Sequence, residues 1–177
     1  LVQEKTTRAF VKKYADEFFA IIDETYDKLY GTVPFTEGMK KMMIENFNLI
    51  IKPKYVSVIV DQNDKVVCAG LCFPSLSKAI QKSKGHLTIP ALFRLLHDLN
   101  HPKVLDLALI GVVKEYEMKG VATIFLARLK QLLRKEKIEY CETNLNLENN
   151  HHVINLWNNF ETRRHKRRRC FIKKITD

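Results

Sequence analysis

The sequence predicts an α/β (α+β) fold in which helices flank a mixed, mostly antiparallel sheet. Two apolar runs, "YVSVIV" (55–60) and "KVVCAGLCF" (65–73), flank the polar turn "DQND", the pattern of an antiparallel hairpin. From residue 104 onward the chain alternates strand, helix, strand, helix, strand, which calls for a parallel crossover. With 177 residues, 46% of them hydrophobic, the chain closes one good core rather than two, so a single domain over 1–177 is expected.

The elements follow in order. Val11, Tyr14, Phe18, Ile21, Ile22 and Leu29 recur at three- and four-residue steps and mark one face of a first helix. Thr36 caps a second, "EGMKKMMIENFNLII", which Pro53 helps to end; these N-terminal helices occupy 8–51 and the core sheet and its helices 54–175. Phe18, Ile22 and Phe47 are expected in the core, and Met39, Met42 and Met43 either pack there or line a ligand pocket. Pro74 closes the second hairpin strand. Two short helices follow, "SLSKAIQKSKG" ending at Gly85 and "PALFRLLHDLN" opening on Pro90 and stopping before Pro102. Then come the strand "VLDLALIGVV", the helix "VATIFLARLKQLLRKEK", the strand "IEYCETNLNL", the helix "NNHHVINLWNNF" and a closing strand "RRCFIKKI".

No apolar run approaches bilayer length and no secretory pattern opens the chain, so a soluble protein is expected. Cys68, Cys72, Cys141 and Cys170 lack the close pairing of zinc or disulfide scaffolds and read as reduced core residues of a cytoplasmic protein. The chain opens on Leu1, which suggests a segment of something longer. Its net charge of +10 is uneven: from Glu161 on, eight Lys or Arg face two acids, so a partner chosen by electrostatics is anionic.

The stretch that bears chemistry is "GVVKEYEMKGVA". An apolar strand ends there, and Gly120 stands at the entry to a helix with no strong N-cap side chain. Such a start exposes unpaired N–H groups and partial positive charge, which suits an anion, although a lone glycine there also serves as a tight turn.

The order of elements, with Gly120, Val121 and Ala122 at the helix start, resembles the GNAT superfamily of acyl-CoA-dependent N-acyltransferases over roughly 26–175. Those three residues match the last places of the family's cofactor loop. Asn150, Val153, Leu156 and Trp157 have the spacing of its Asn, Ala, Leu, Tyr signature. The end of the chain is similar to a poorly characterised bacterial GNAT-like group whose longer members carry a further domain upstream. Three places depart from the pattern: Glu117 stands for the usual Gln or Arg, Trp157 for the tyrosine, and "NNFETRRH" replaces a Gly-Phe.

The resemblance implies a sheet splayed between the strands at 104–113 and 138–147, with acetyl-CoA or another acyl-CoA as co-substrate and an amine as acceptor. The pantetheine arm would run beside Ile110, Gly111, Val112 and Val113, with a main-chain N–H near Gly111 or Val112 polarising the acyl carbonyl. The diphosphate would lie on Met118, Lys119, Gly120, Val121 and Ala122, with Asn150 and Trp157 completing the cofactor site. Asp106 and Glu142 are the candidate bases, beside Asn144 with water or Glu148. Tyr116, His151, His152 or water would protonate the leaving thiolate.

Other constellations compete. His97 and His101 have the spacing of a metal pair on a helix, but a third ligand is missing from the pattern, and no metal is expected. "RRHKRRR" suits nucleic acid or another anionic partner, and equally a basic loop that counters aggregation. A GNAT-like module that has lost its chemistry and only binds a partner is the alternative to an N-acyltransferase.

Overall fold

The computed structural model describes residues 7–47, 50–169 and 171–173. They form two compact units, one running to Asn144 and one from Leu145 onward. In the first, helices α1 (Arg8–Lys13), α2 (Ala15–Tyr26) and α3 (Glu37–Phe47) precede the hairpin of β1 (Val56–Val60) and β2 (Val66–Pro74). Helices α4 (Ser77–Lys82) and α5 (Ile89–Asn100) lead into β3 (Val104–Val112), then α6 (Val121–Lys135) and β4 (Tyr140–Thr143). The sheet has the order β1-β2-β3-β4, antiparallel except for the parallel pair β3–β4 that α6 connects. The mixed, mostly antiparallel sheet expected from the sequence is present.

Boundaries differ in three places. The first helix breaks at Tyr14 (φ −102°, ψ 13°), a buried residue whose phenol donates to Asp64 Oδ1 at 2.5 Å while Lys13 Nζ donates to Asp64 Oδ2 at 2.7 Å. The break turns an aromatic with a polar tip toward the β1–β2 turn. The strand expected over 138–147 pairs only through Tyr140–Thr143. No strand forms among the described residues of "RRCFIKKI", whose start belongs to a run of six Lys or Arg within 163–169 that repel one another; Cys170 and residues 174–175 lie outside the described residues, as does the side chain of Phe47.

The two sheet faces carry different helices. Leu105, fully buried, clusters with Leu129, Leu132 and Leu133 of α6 and with Cys141. A Cβ on Gly70 would lie 2.3 Å from Cε2 of Phe125, also on α6. A Cβ on Gly111 would lie 2.8 Å from Ile21 Cγ2 and Thr25 Oγ1 of α2. Leu105 and Gly111 are six residues apart and should share a face in a regular strand. They do not, because the β2–β3 register jumps from Leu71↔Leu109 to Cys72↔Leu107 and leaves Ala108 as an extra residue.

The second unit holds α7 (His151–Leu156), capped by Asn150, whose Oδ1 accepts from Val153 N at 3.3 Å. Trp157 follows in a short 3-10 turn, its ring edge-on to Phe160 at 6.2 Å. No helix of the described residues is long and apolar enough to cross a membrane. Cys68 and Cys72 are buried free thiols pushed up to about 12 by desolvation, so they stay protonated core residues.

Substituting Gly70→Ala should press a methyl into the buried Phe125 ring and lower unfolding free energy by about 1–3 kcal/mol. Urea denaturation reads this as a lower midpoint at constant slope; an unchanged midpoint would mean that α6 is not seated on Gly70.

Candidate functional site

The extra residue Ala108 has a consequence at the edge of the sheet. β4 pairs with β3 from Val104↔Tyr140 to Leu107↔Thr143 and then departs, so the outer edge of β3 is open beyond that point. Asn144 closes the fork: its N–H donates to Leu107 O at 3.3 Å and its Nδ2 to Ala108 O at 2.9 Å. Val113 N–H donates to Val67 O at 3.1 Å, toward β2, so by alternation Gly111 also faces β2 while Ile110 and Val112 present their main-chain groups to the open edge. Of the expected pair, Val112 and not Gly111 therefore has its N–H on the open side.

Tyr26 occupies part of that edge. Its hydroxyl donates to Ile110 O at 3.2 Å and accepts from Ile110 N at 3.4 Å, standing in for a missing strand neighbour. Burial raises its pKa above the usual phenol value of 10.0, and the Ile110 hydrogen bond offsets part of the rise. The phenol is therefore protonated at neutral pH and available as a donor. Tyr26 does not stand out in the sequence, because four residues after Ile22 and three before Leu29 it reads as one more member of the apolar stripe that marks the first helix. The one signal was an aromatic with a polar tip in the last turn of that helix.

At the C-terminal end of β3 the chain makes a 3-10 turn, Lys114–Tyr116, and enters α6 through Gly120. Gly120 is left-handed (φ 78°), a conformation that glycine adopts without a Cβ penalty. Met118 is also at positive φ (60°) and is 96% exposed. Lys119 N–H is committed to Tyr116 O at 3.3 Å. Among the described residues, the N–H groups of Met118, Gly120, Val121 and Ala122 donate to no acceptor. They form a row of unpaired donors at the positive end of a fifteen-residue helix, exposed at Met118 and Gly120 and buried at Val121, a fit for a diphosphate that reaches the first two. Lys119 Nζ rests over the Tyr116 ring at 5.0 Å, and Glu117 projects from the same loop into solvent.

The expected acid–base residues separate into two places. Asp106 and Glu142 are register partners on neighbouring strands, both half-buried, on the α2 face of the sheet because their neighbours Leu105 and Cys141 face α6. Tyr116 is elsewhere: its hydroxyl donates to Asp61 Oδ2 at 3.4 Å by the β1–β2 turn, about 20 Å of strand from Asp106. Burial raises the Tyr116 phenol as well. In the second unit, the Asn150 side chain is engaged as a helix cap, and the Trp157 indole N–H is shielded from solvent without a hydrogen-bond partner among the described residues. His97 and His101 stack at 5.4 Å, but no group of three or more His, Cys, Asp or Glu that could hold a metal occurs among the described residues.

Tyr26→Phe removes a phenol that folds protonated. Because the folded-state pKa is raised, its contribution is full below about pH 10 and declines as pH rises through the folded value. Thermal melts from pH 8 to 11 should show a shallower alkaline loss of stability in Tyr26→Phe than in the wild type, with faster exchange of the Ile110 amide. Parallel alkaline profiles would mean that the phenol is not held as described.

No family model matches the chain, and no curated protein matches it. Solved structures do. PH1933 from Pyrococcus horikoshii OT3 superposes with a TM-score of 0.64 at 18% identity, covering 94% of this chain and 91% of its own. The aminoglycoside 6'-N-acetyltransferase AAC(6')-IG from Acinetobacter haemolyticus gives 0.56 at 12% identity, covering 99% of this chain and 100% of its own. AAC(6')-Iy, in complex with the bisubstrate analog CoA-S-monomethyl-acetylneamine, gives 0.53 at 11% identity over 90% and 94%. At these identities the likeness is one of fold, and the chain has a GNAT-like fold.

Proposed function

We propose that this protein transfers an acyl group, acetyl above all, from an acyl-CoA to an amine. The observation that carries the reading is that a fork in the sheet and a row of unpaired amides occur at successive points of one strand–loop–helix segment. The open edge of Ile110 and Val112 suits a strand-like pantetheine arm, and Met118, Gly120, Val121 and Ala122 suit its diphosphate. That AAC(6')-Iy binds a CoA bisubstrate analog in a related fold supports the assignment.

The residues divide the work. Asp106 and Glu142 offer an incoming ammonium two carboxylates and take its proton through water, leaving a neutral amine to form the C–N bond. The Tyr26 hydroxyl, once released from Ile110, donates to the oxyanion of the tetrahedral carbon, while the Val112 N–H, six residues along β3 from Asp106, holds the pantetheine arm. The C–S bond then breaks and the thiolate takes a proton. Tyr26 lies nearer to that event than Tyr116, which is tied to Asp61. Asn150 and Trp157 remain proposed cofactor contacts on the strength of the resemblance alone.

Glu117 supports a second reading, a binding module without chemistry, since a carboxylate on the anion-binding loop opposes a diphosphate. Calorimetry distinguishes the two. Acetyl-CoA should bind in the micromolar range, and Glu117→Gln should tighten it by about two- to fivefold at low salt, the scale of one exposed charge. Absence of binding at millimolar acetyl-CoA would leave the binding module as the function.

A further inference from the structure

A cleft of about 850 Å³ opens between α4, α5 and the first residues of β3 and β4. Lys78, Lys82, Arg94 and Lys103 line it against one acid, Asp98. From 77 to 97 the chain carries four Lys or Arg and no Asp or Glu. Lys103 is partnered by Glu139 at 2.9 Å, and Lys78 sits over the Tyr140 ring at 5.8 Å. Lys82 and Arg94 form no ion pair among the described residues. Phe93, Leu96 and Tyr140, each about half exposed or more, give the cleft an apolar wall.

The position of the cleft is what gives it meaning. Its lining residues Val104 and Tyr140 are register partners two residues before Asp106 and Glu142, and therefore share their sheet face. Two strand residues span about 7 Å. A carboxylate pair that welcomes an ammonium and a basic cleft that welcomes an anion thus lie next to each other on one surface.

We propose that the acceptor is an amine that also carries a carboxylate or phosphate about 7–10 Å from its nitrogen, the anion held by Lys82 and Arg94. The inference rests on the acyl-transfer reading and adds a substrate class to it. It also excludes polyamines, whose further positive charges would meet Lys78, Lys82 and Arg94.

The test compares acceptors matched in length: aminohexanoate and aminobutyl phosphate against aminohexanamide and spermidine, with thiol release from acetyl-CoA as the readout. The anionic amines should exceed the neutral one in kcat/KM by about tenfold, the scale of one charge-assisted hydrogen bond. The double variant Lys82→Glu/Arg94→Glu should abolish that preference, and circular dichroism checks that it folds. The relative use of the carboxylate and the phosphate tells which anion the cleft prefers. Equal use of the neutral amine, or preference for spermidine, overturns the proposal. Should no amine be acetylated, saturation-transfer NMR with aminohexanoate decides: binding to the wild type and not to the double variant supports the cleft, and no binding to either overturns it. Anion binding by a protein that ignores acetyl-CoA would remove the acyl-transfer reading and leave the anion cleft standing.

Discussion

The structure of the first unit depends on β3 being paired along its whole length on one edge and along only half of it on the other. β2 holds Leu105 to Val112, while β4 holds only Val104 to Leu107. The extra residue at Ala108 makes the departure possible, since it turns the strand and flips the phase of every side chain beyond it. A straight strand would place Gly111 under α6 and a bulkier neighbour against α2, and neither helix would seat as it does. The same irregularity leaves unpaired main-chain groups on the far side, a cost that a protein retains where a ligand or a side chain meets them.

Two residues meet them here. Asn144 completes the pairing at the fork with two hydrogen bonds, and Tyr26 reaches from α2 to both groups of Ile110. Tyr26 can do so because α2 lies close over β3, a closeness that Gly111 permits by having no Cβ to strike Ile21 and Thr25. Packing and chemistry are thereby joined: the glycine sets the depth of the helix, and the helix sets where the phenol stands.

Charge sorts the surface of the first unit. The unpaired amides at the start of α6, and the lysines of α4 with Arg94 of α5, favour anions, while Asp106 and Glu142 favour a cation between those two regions along β3. Lys54 and Glu136 pair across the chain, as do Lys103 and Glu139, so much of the remaining charge is locally neutralised. The cations of α4 and α5 that lack such partners are therefore the ones left to act on a ligand.

Hydrophobic periodicity determined the hairpin, the crossover helix and the sheet type, because apolar side chains must reach one core and only a few element orders allow it. Glycine at a helix start marked the turn of unpaired amides for the same local reason: left-handed backbone and orphan amides are properties of a few adjacent residues. Tertiary structure alone decided the rest. "IEYCETNLNL" reads as a long strand, yet pairs for four residues because its partner bulges at Ala108, a residue that nothing in its neighbourhood distinguishes. Tyr26, 84 residues from Ile110, and Lys82 and Arg94, drawn to the end of the sheet by α4 and α5, acquire their roles only from contacts distant in sequence. Local pattern reports which face of an element is buried; it does not report which polar group waits on the far side of the fold to meet it.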